Sequence, residues 1–137
     1  MAFTTQRRIE FRDTDAAGIV HFSVFFTMME TAEHEMLRSL GISVLPDHDD
    51  DQVPLSWPRV AASCDYVSAA RFEDLLDISV SVAKIGSSSV QYHIEFTRDR
   101  QQIATGSMTS VCCHLEPTGL KKSAIPGNIR ELLATQQ

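Results

Sequence analysis

The segment Asp13-Thr14-Asp15-Ala16-Ala17-Gly18, running on to His21, sets two carboxylates and a glycine immediately ahead of a strongly periodic apolar stretch. The first N–H groups of a helix have no partners within it, and its dipole favours negative charge there. A carbonyl resting on those groups would be polarised as oxyanion charge develops. Asp15 could then attack the carbonyl carbon or take a proton from water. The plainer alternative is that Asp13 and Asp15 cap turns and Gly18 supplies a left-handed backbone. Residue chemistry alone leaves both open. Other groupings carry less. His48-Asp49-Asp50-Asp51 offers ligand types for a metal, yet a proline-flanked acidic run reads as solvated surface. Glu30 and His34 share a helix face without a His-Glu-x-x-His motif. Cys112-Cys113-His114 falls in an extended stretch, where neighbours are expected on opposite faces, which disfavours a Cys–His pair. No metal site is expected, and the sequence holds neither a Gly-x-Ser-x-Gly elbow nor a phosphate-binding glycine loop.

The elements that must hold the Asp15 loop can be read from periodicity. Residues 4–11 predict a strand. Phe22, Phe25, Met29, Ala32, Met36 and Leu40 recur at three- and four-residue steps, with Phe26 and Leu37 widening the stripe. That spacing predicts one long helix over 22–40, about 30 Å in length, closed by Gly41. Residues 43–57 form a proline-containing acidic excursion. Strands follow at 60–67, 78–82, 90–96 and 105–115, with a hairpin at Gly86 to Ser89, a polar turn at 98–102 and a turn at 116–119. A short helix closes the chain at 126–133. One strand, a central helix and four antiparallel strands make an α+β fold, a single domain over residues 1–137.

Composition bounds the partners. The chain has 137 residues, 43% hydrophobic and 22% charged, which fits one globular domain. Eighteen acids against 12 bases, a net charge of -6, argue against nucleic acid as a main partner. No run approaches the roughly 18 apolar residues of a membrane span, and the N-terminal stretch lacks a signal-peptide core. Cys64, Cys112 and Cys113 show no metal-ligand spacing. A reducing cytoplasm is the expected location.

The run from Glu10 to Phe22, Glu-Phe-Arg-Asp-Thr-Asp-Ala-Ala-Gly-Ile-Val-His-Phe, followed by Phe25 and Glu30, resembles the signature of hotdog-fold acyl-CoA thioesterases, in the 4-hydroxybenzoyl-CoA thioesterase branch. Asp65-Tyr66-Val67, Arg71-Phe72-Glu73-Asp74 and the stretch from Lys121-Lys122 through Ile125-Pro126 to Ile129-Arg130 are similar to the same branch. The resemblance implies an antiparallel sheet wrapped around one central helix, and hydrolysis of an acyl- or aroyl-CoA to free acid and CoA. Asp15 matches the catalytic carboxylate, as nucleophile or general base. Phe22 matches the residue whose backbone N–H polarises the carbonyl at the helix start; its position is commonly Tyr or His in the family, and here the histidine is one residue earlier. Gly18, His21 and Glu30 are implied around the substrate, with Ser87, Ser88, Lys121 and Lys122 as candidates for the CoA phosphates. No metal or redox cofactor is implied, CoA entering as part of the substrate, and the resemblance implies a homodimer or homotetramer with sites at subunit boundaries. Two rival functions remain: a non-catalytic acyl-CoA-binding module, and a hotdog dehydratase, for which His21-Phe22-Ser23 lacks the required proline and glycine. Carrier-protein thioesters are a further possible substrate class.

Overall fold

The computed structural model describes residues 2–45 and 54–137; the acidic run at His48 to Asp51 lies outside them. Strand β1 spans Phe3–Arg8 and helix α1 Val24–Ser39. They are followed by β2 (Leu55–Ser56), β3 (Arg59–Tyr66), β4 (Leu75–Ile85), β5 (Ser89–Arg98), β6 (Gln101–Val111), β7 (Cys113–Glu116), β8 (Gly119–Lys122) and α2 (Gly127–Ala134). Five strands form an antiparallel sheet in the order β1-β4-β5-β6-β3, and β2-β7-β8 form a smaller one. This is the α+β arrangement expected, a long helix laid on an antiparallel sheet.

Alternation explains the sheet. Leu76, Ile78, Val80 and Val82 of β4 and Val90, Tyr92, Ile94 and Phe96 of β5 all point to the buried side. Against them α1 buries Phe25, Met28, Met29, Ala32, Met36 and Leu37. Gly106 on β6 is where helix and sheet come closest: a Cβ there would lie 2.2 Å from the Met29 sulfur. The helix ends in a Schellman motif, with Gly41 at φ +76, its N–H on Arg38 and the Ile42 N–H on Leu37.

Several boundaries differ from expectation for local reasons. Strand β1 stops at Arg8 because Glu10 and Asp13 cap a 3₁₀ turn at Phe11–Asp13. Helix α1 begins at Val24, not at residue 22, because the Phe22 carbonyl is taken by the Tyr66 hydroxyl (2.9 Å) and Phe26 N–H bonds Ser23 instead. The polar turn is tighter than predicted: Asp99 and Arg100 both take left-handed φ, as a two-residue hairpin requires. The long final strand breaks at Cys112, whose N–H bonds Ser88, and the chain passes to the smaller sheet. Cys112 and Cys113 are therefore both buried, contrary to simple alternation. Strands β2 and β8 were not foreseen.

One polar contact crosses the core boundary. Arg59, at the start of edge strand β3, donates to Glu33 of α1 at 2.6 Å and to Ser110 at 3.3 Å, and reaches Glu30 at 3.4 Å. Glu33 is only 3% exposed. Burial pushes its carboxyl above the ordinary 4.5, against the opposing pull of Arg59. Hydrogen bonds and charges from Glu33 and Glu30 hold Arg59 raised despite its own burial. The folded chain thus binds the Glu33 proton more tightly than the unfolded chain does. Its stability contribution accordingly declines as pH rises above 4.5 through the folded-state value. Arg59→Met is expected to cost about 3–5 kcal/mol by stranding that carboxylate, with a larger loss at pH 8 than at pH 5. Adding Glu33→Gln is expected to recover most of it, both read by urea denaturation.

Candidate active site

The loop ahead of α1 is held by its own hydrogen bonds. Asp13 is buried; its carboxylate accepts the Glu10 N–H at 2.8 Å and its carbonyl accepts the His21 N–H at 2.8 Å. Asp13 is therefore a turn cap. Asp15 also caps, one oxygen accepting the Ala17 N–H at 2.9 Å, while its carbonyl accepts the Gly18 N–H at 2.9 Å. Gly18 takes φ +79, and a Cβ there would meet nothing within 4 Å, so the glycine serves the turn rather than a close approach. The loop then folds back on itself: Thr14 bridges Val20, Ile19 bridges Arg71, and the Val20 N–H bonds Ala70.

Those bridges set the loop beside the chain leaving β3, and a recess of about 390 Å³ opens between them. Asp15, Ile19, Val20, Phe22, Phe25 and Tyr66 line it, together with residues 67–70. Phe25 anchors the wall, edge-on to Phe96 at 5.2 Å and against Tyr66 at 5.3 Å. Phe22 stands at the rim, 61% exposed, in the turn before α1. Asp15 is half-buried and takes part in no ion pair among the described residues. The arrangement offers a carboxylate oxygen, a backbone turn and apolar walls within one recess.

The other candidates fall elsewhere. The His21 Nδ1 lies 2.7 Å from the Ser23 hydroxyl and accepts the Ser23 N–H at 3.3 Å, so the ring caps the turn. Glu30 lines a separate groove of about 190 Å³ with Phe26, Thr27, Arg59, Ala62 and Met108. Ser87 and Ser88 are tied down by their carbonyls, which accept the Ile125 and Cys112 N–H groups; Ser88 itself is buried. Lys121 and Lys122 are exposed on β8, in register with His114 and Cys113. The Ser87–Ser88 hairpin and the Lys121–Lys122 strand therefore meet near the β6–β7 junction, and none of the four lines the Asp15 recess. Among the described residues, no group of three or more His, Cys, Asp or Glu could hold a metal ion. No helix there is long and apolar enough to cross a membrane.

Sequence reasoning passed over three residues. Tyr66 stood in the Asp65-Tyr66-Val67 motif without a role. Glu33 sits among the apolar helix positions, one turn from Met29 and Met36, and an acid in that phase signals a buried partner. That partner, Arg59, carried no sequence signal.

The chain is similar to known proteins over most of its length. The Thioesterase superfamily matches residues 17–105, beginning two positions after Asp15. A 1,4-dihydroxy-2-naphthoyl-CoA hydrolase of Nostoc punctiforme is 29% identical over 137 residues, all of this chain and 90% of that protein. The crystal structure of a 1,4-dihydroxy-2-naphthoyl-CoA thioesterase from Synechocystis superposes with a TM-score of 0.84 at 25% identity, covering 98% of this chain and 96% of the other. A gentisyl-coenzyme A thioesterase superposes at 0.79 with 26% identity, covering 96% and 99%. With the family match spanning more than half of the chain and the hotdog architecture expected from the Asp15 motif in place, the chain belongs to the Thioesterase superfamily.

Proposed function

We propose that the chain hydrolyses an acyl-CoA thioester to a free acid and coenzyme A in the Asp15 recess. The observation that carries this reading is the lining: a carboxylate with no ion pair among the described residues, next to a pre-helical turn and apolar walls. The Phe22 N–H polarises the thioester carbonyl and holds the oxyanion. As general base, Asp15 takes a proton from water, whose oxygen adds to the carbonyl carbon. The tetrahedral intermediate then expels the CoA thiolate, which recovers the proton from Asp15. As nucleophile, Asp15 instead forms a mixed anhydride and releases CoA first; water then cleaves the anhydride. Neither route needs a metal or a redox cofactor.

The rings of Phe22, Phe25 and Tyr66 suit a planar aromatic acyl group, and the volume lies within the ordinary range for small-molecule sites. The two solved relatives carry names with hydroxylated aromatic acyl groups, which supports the same class for this chain. Lys121 and Lys122 remain the proposed phosphate contacts, reaching an Asp15 recess across a subunit boundary. Thiol release from a panel of acyl-CoAs tests the activity. Asp15→Asn is expected to lower kcat/KM by about 100-fold or more with the fold intact by circular dichroism. A loss of only a few-fold removes Asp15 from the mechanism, and saturable binding without thiol release makes the chain a binding module.

A second copy completes the assembly. Strand β3 pairs with β6 on one side only and ends the sheet, with Val60 on it 61% exposed. An open edge with exposed apolar residues invites pairing with another chain. The wild type is expected to elute as a dimer or tetramer from a sizing column. Val60→Lys with Ala62→Lys on the same strand is expected to shift it toward monomer and lower activity. A monomer as active as the parent would refute the assembly.

A further inference from the structure

Four consecutive N–H groups lead into α1, from His21 to Val24. Three are engaged: His21 donates to the Asp13 carbonyl, Ser23 to the His21 ring, and Val24 to the His21 carbonyl. The Phe22 N–H has no acceptor among the described residues. The Phe22 carbonyl does have a partner. Tyr66, at the far end of β3, donates its hydroxyl to that oxygen at 2.9 Å, while its ring packs on Phe25 and lines the recess beside Asp15.

A peptide plane carries its N–H and the preceding carbonyl as one rigid unit, so a turn residue is oriented by what grips its two flanking planes. The plane before Phe22 carries the free N–H and, on its other side, the His21 carbonyl that Val24 holds. The plane after Phe22 is held at its carbonyl by Tyr66 at 2.9 Å and, less closely, at the Ser23 N–H by the His21 ring at 3.3 Å. Removing Tyr66 leaves that plane on the longer His21 contact alone, on the side facing solvent, where the Phe22 ring is exposed.

We propose that Tyr66 is a positioning residue of this site: its hydroxyl fixes the Phe22 turn so that the Phe22 N–H stays aimed at the thioester oxygen, and its ring forms one wall for the acyl group. The role rests on the thioesterase reading and adds a residue to it. A donor that is already oriented needs no reorganisation when charge develops, which is why a distant hydroxyl can affect the chemical step. Burial, with Cys64 beside it, pushes the Tyr66 phenol above its ordinary value, so it remains a donor through the neutral range.

The two roles separate by substitution. Tyr66→Phe removes one oxygen and keeps the ring; Tyr66→Leu removes both features. Steady-state thiol release is measured on the acyl-CoA that the wild type turns over fastest, with Tm alongside. Tyr66→Phe is expected to lower kcat about tenfold, the loss of roughly one hydrogen bond's worth of orientation, with KM within about twofold and Tm unchanged. Tyr66→Leu is expected to raise KM as well. Wild-type kcat in Tyr66→Phe overturns the proposal, as does a fall in kcat that tracks a fall in Tm, because either result leaves the hydroxyl without a positioning role. Absence of thiol release by the wild type over the whole panel overturns the thioesterase reading itself, and this inference with it.

Discussion

The packing of α1 across the sheet is the constraint on which the rest depends. The helix can settle only where the sheet lets it approach, and Gly106 provides that place by leaving room for Met29. Phe25 then falls against Phe96, and the N-terminal end of α1 is carried to the Asp15 loop and the outgoing end of β3. A side chain at position 106 would push on a fully buried methionine sulfur, and interiors packed to crystal density transmit such a push. The site is therefore fixed by contacts about two helical turns from it.

What the helix brings to the recess is mostly backbone. Its approach turn spends nearly every polar group on itself: Asp13 on Glu10 and His21, the His21 ring on Ser23, Tyr66 on Phe22. Such closure is required because a half-buried turn cannot leave its N–H and C=O groups unmet without cost. Of the four N–H groups from His21 to Val24, that of Phe22 is the one without an acceptor among the described residues. It was not the helical N–H expected from sequence, since Phe22 lies ahead of the first helical residue, yet a turn held from both sides can present a donor as firmly as a helix can.

The long helix, the β4–β5 hairpin and the Asp15 loop were legible because each rests on local pattern: a 3.6-residue stripe, strict alternation, and an Asp-rich run before apolar periodicity. What escaped depended on pairs distant in sequence. Arg59 gives no local sign of Glu33, 26 residues before it, and Tyr66 gives none of the Phe22 carbonyl, 44 residues before it. The break at Cys112 has the same origin, for its N–H turns to Ser88 rather than along the ladder. Serines and lysines credited with phosphate contacts from the motif alone came together near that break, away from the recess of their own chain. Local pattern locates elements; it does not say which edges meet.

The acids of this chain show how environment sorts identical groups into different work. Glu33 and Asp74 are each held by an arginine, Arg59 and Arg98, and a carboxylate so held has one oxygen and much of its charge answered by a guanidinium. For Asp74, the Arg71 N–H and the Arg98 guanidinium keep the carboxyl below its ordinary range despite partial burial, so it is a poorer base still. Asp13 has the Glu10 N–H on its carboxylate and no solvent around it. Asp15 alone of these four combines a place on the recess wall with no arginine partner among the described residues, and the Ala17 N–H on one oxygen orients its carboxylate. A group that must offer an electron pair to a proton or a carbonyl carbon has to be aimed without being neutralised. An N–H on one oxygen does that, and a guanidinium charge set against the carboxylate does not.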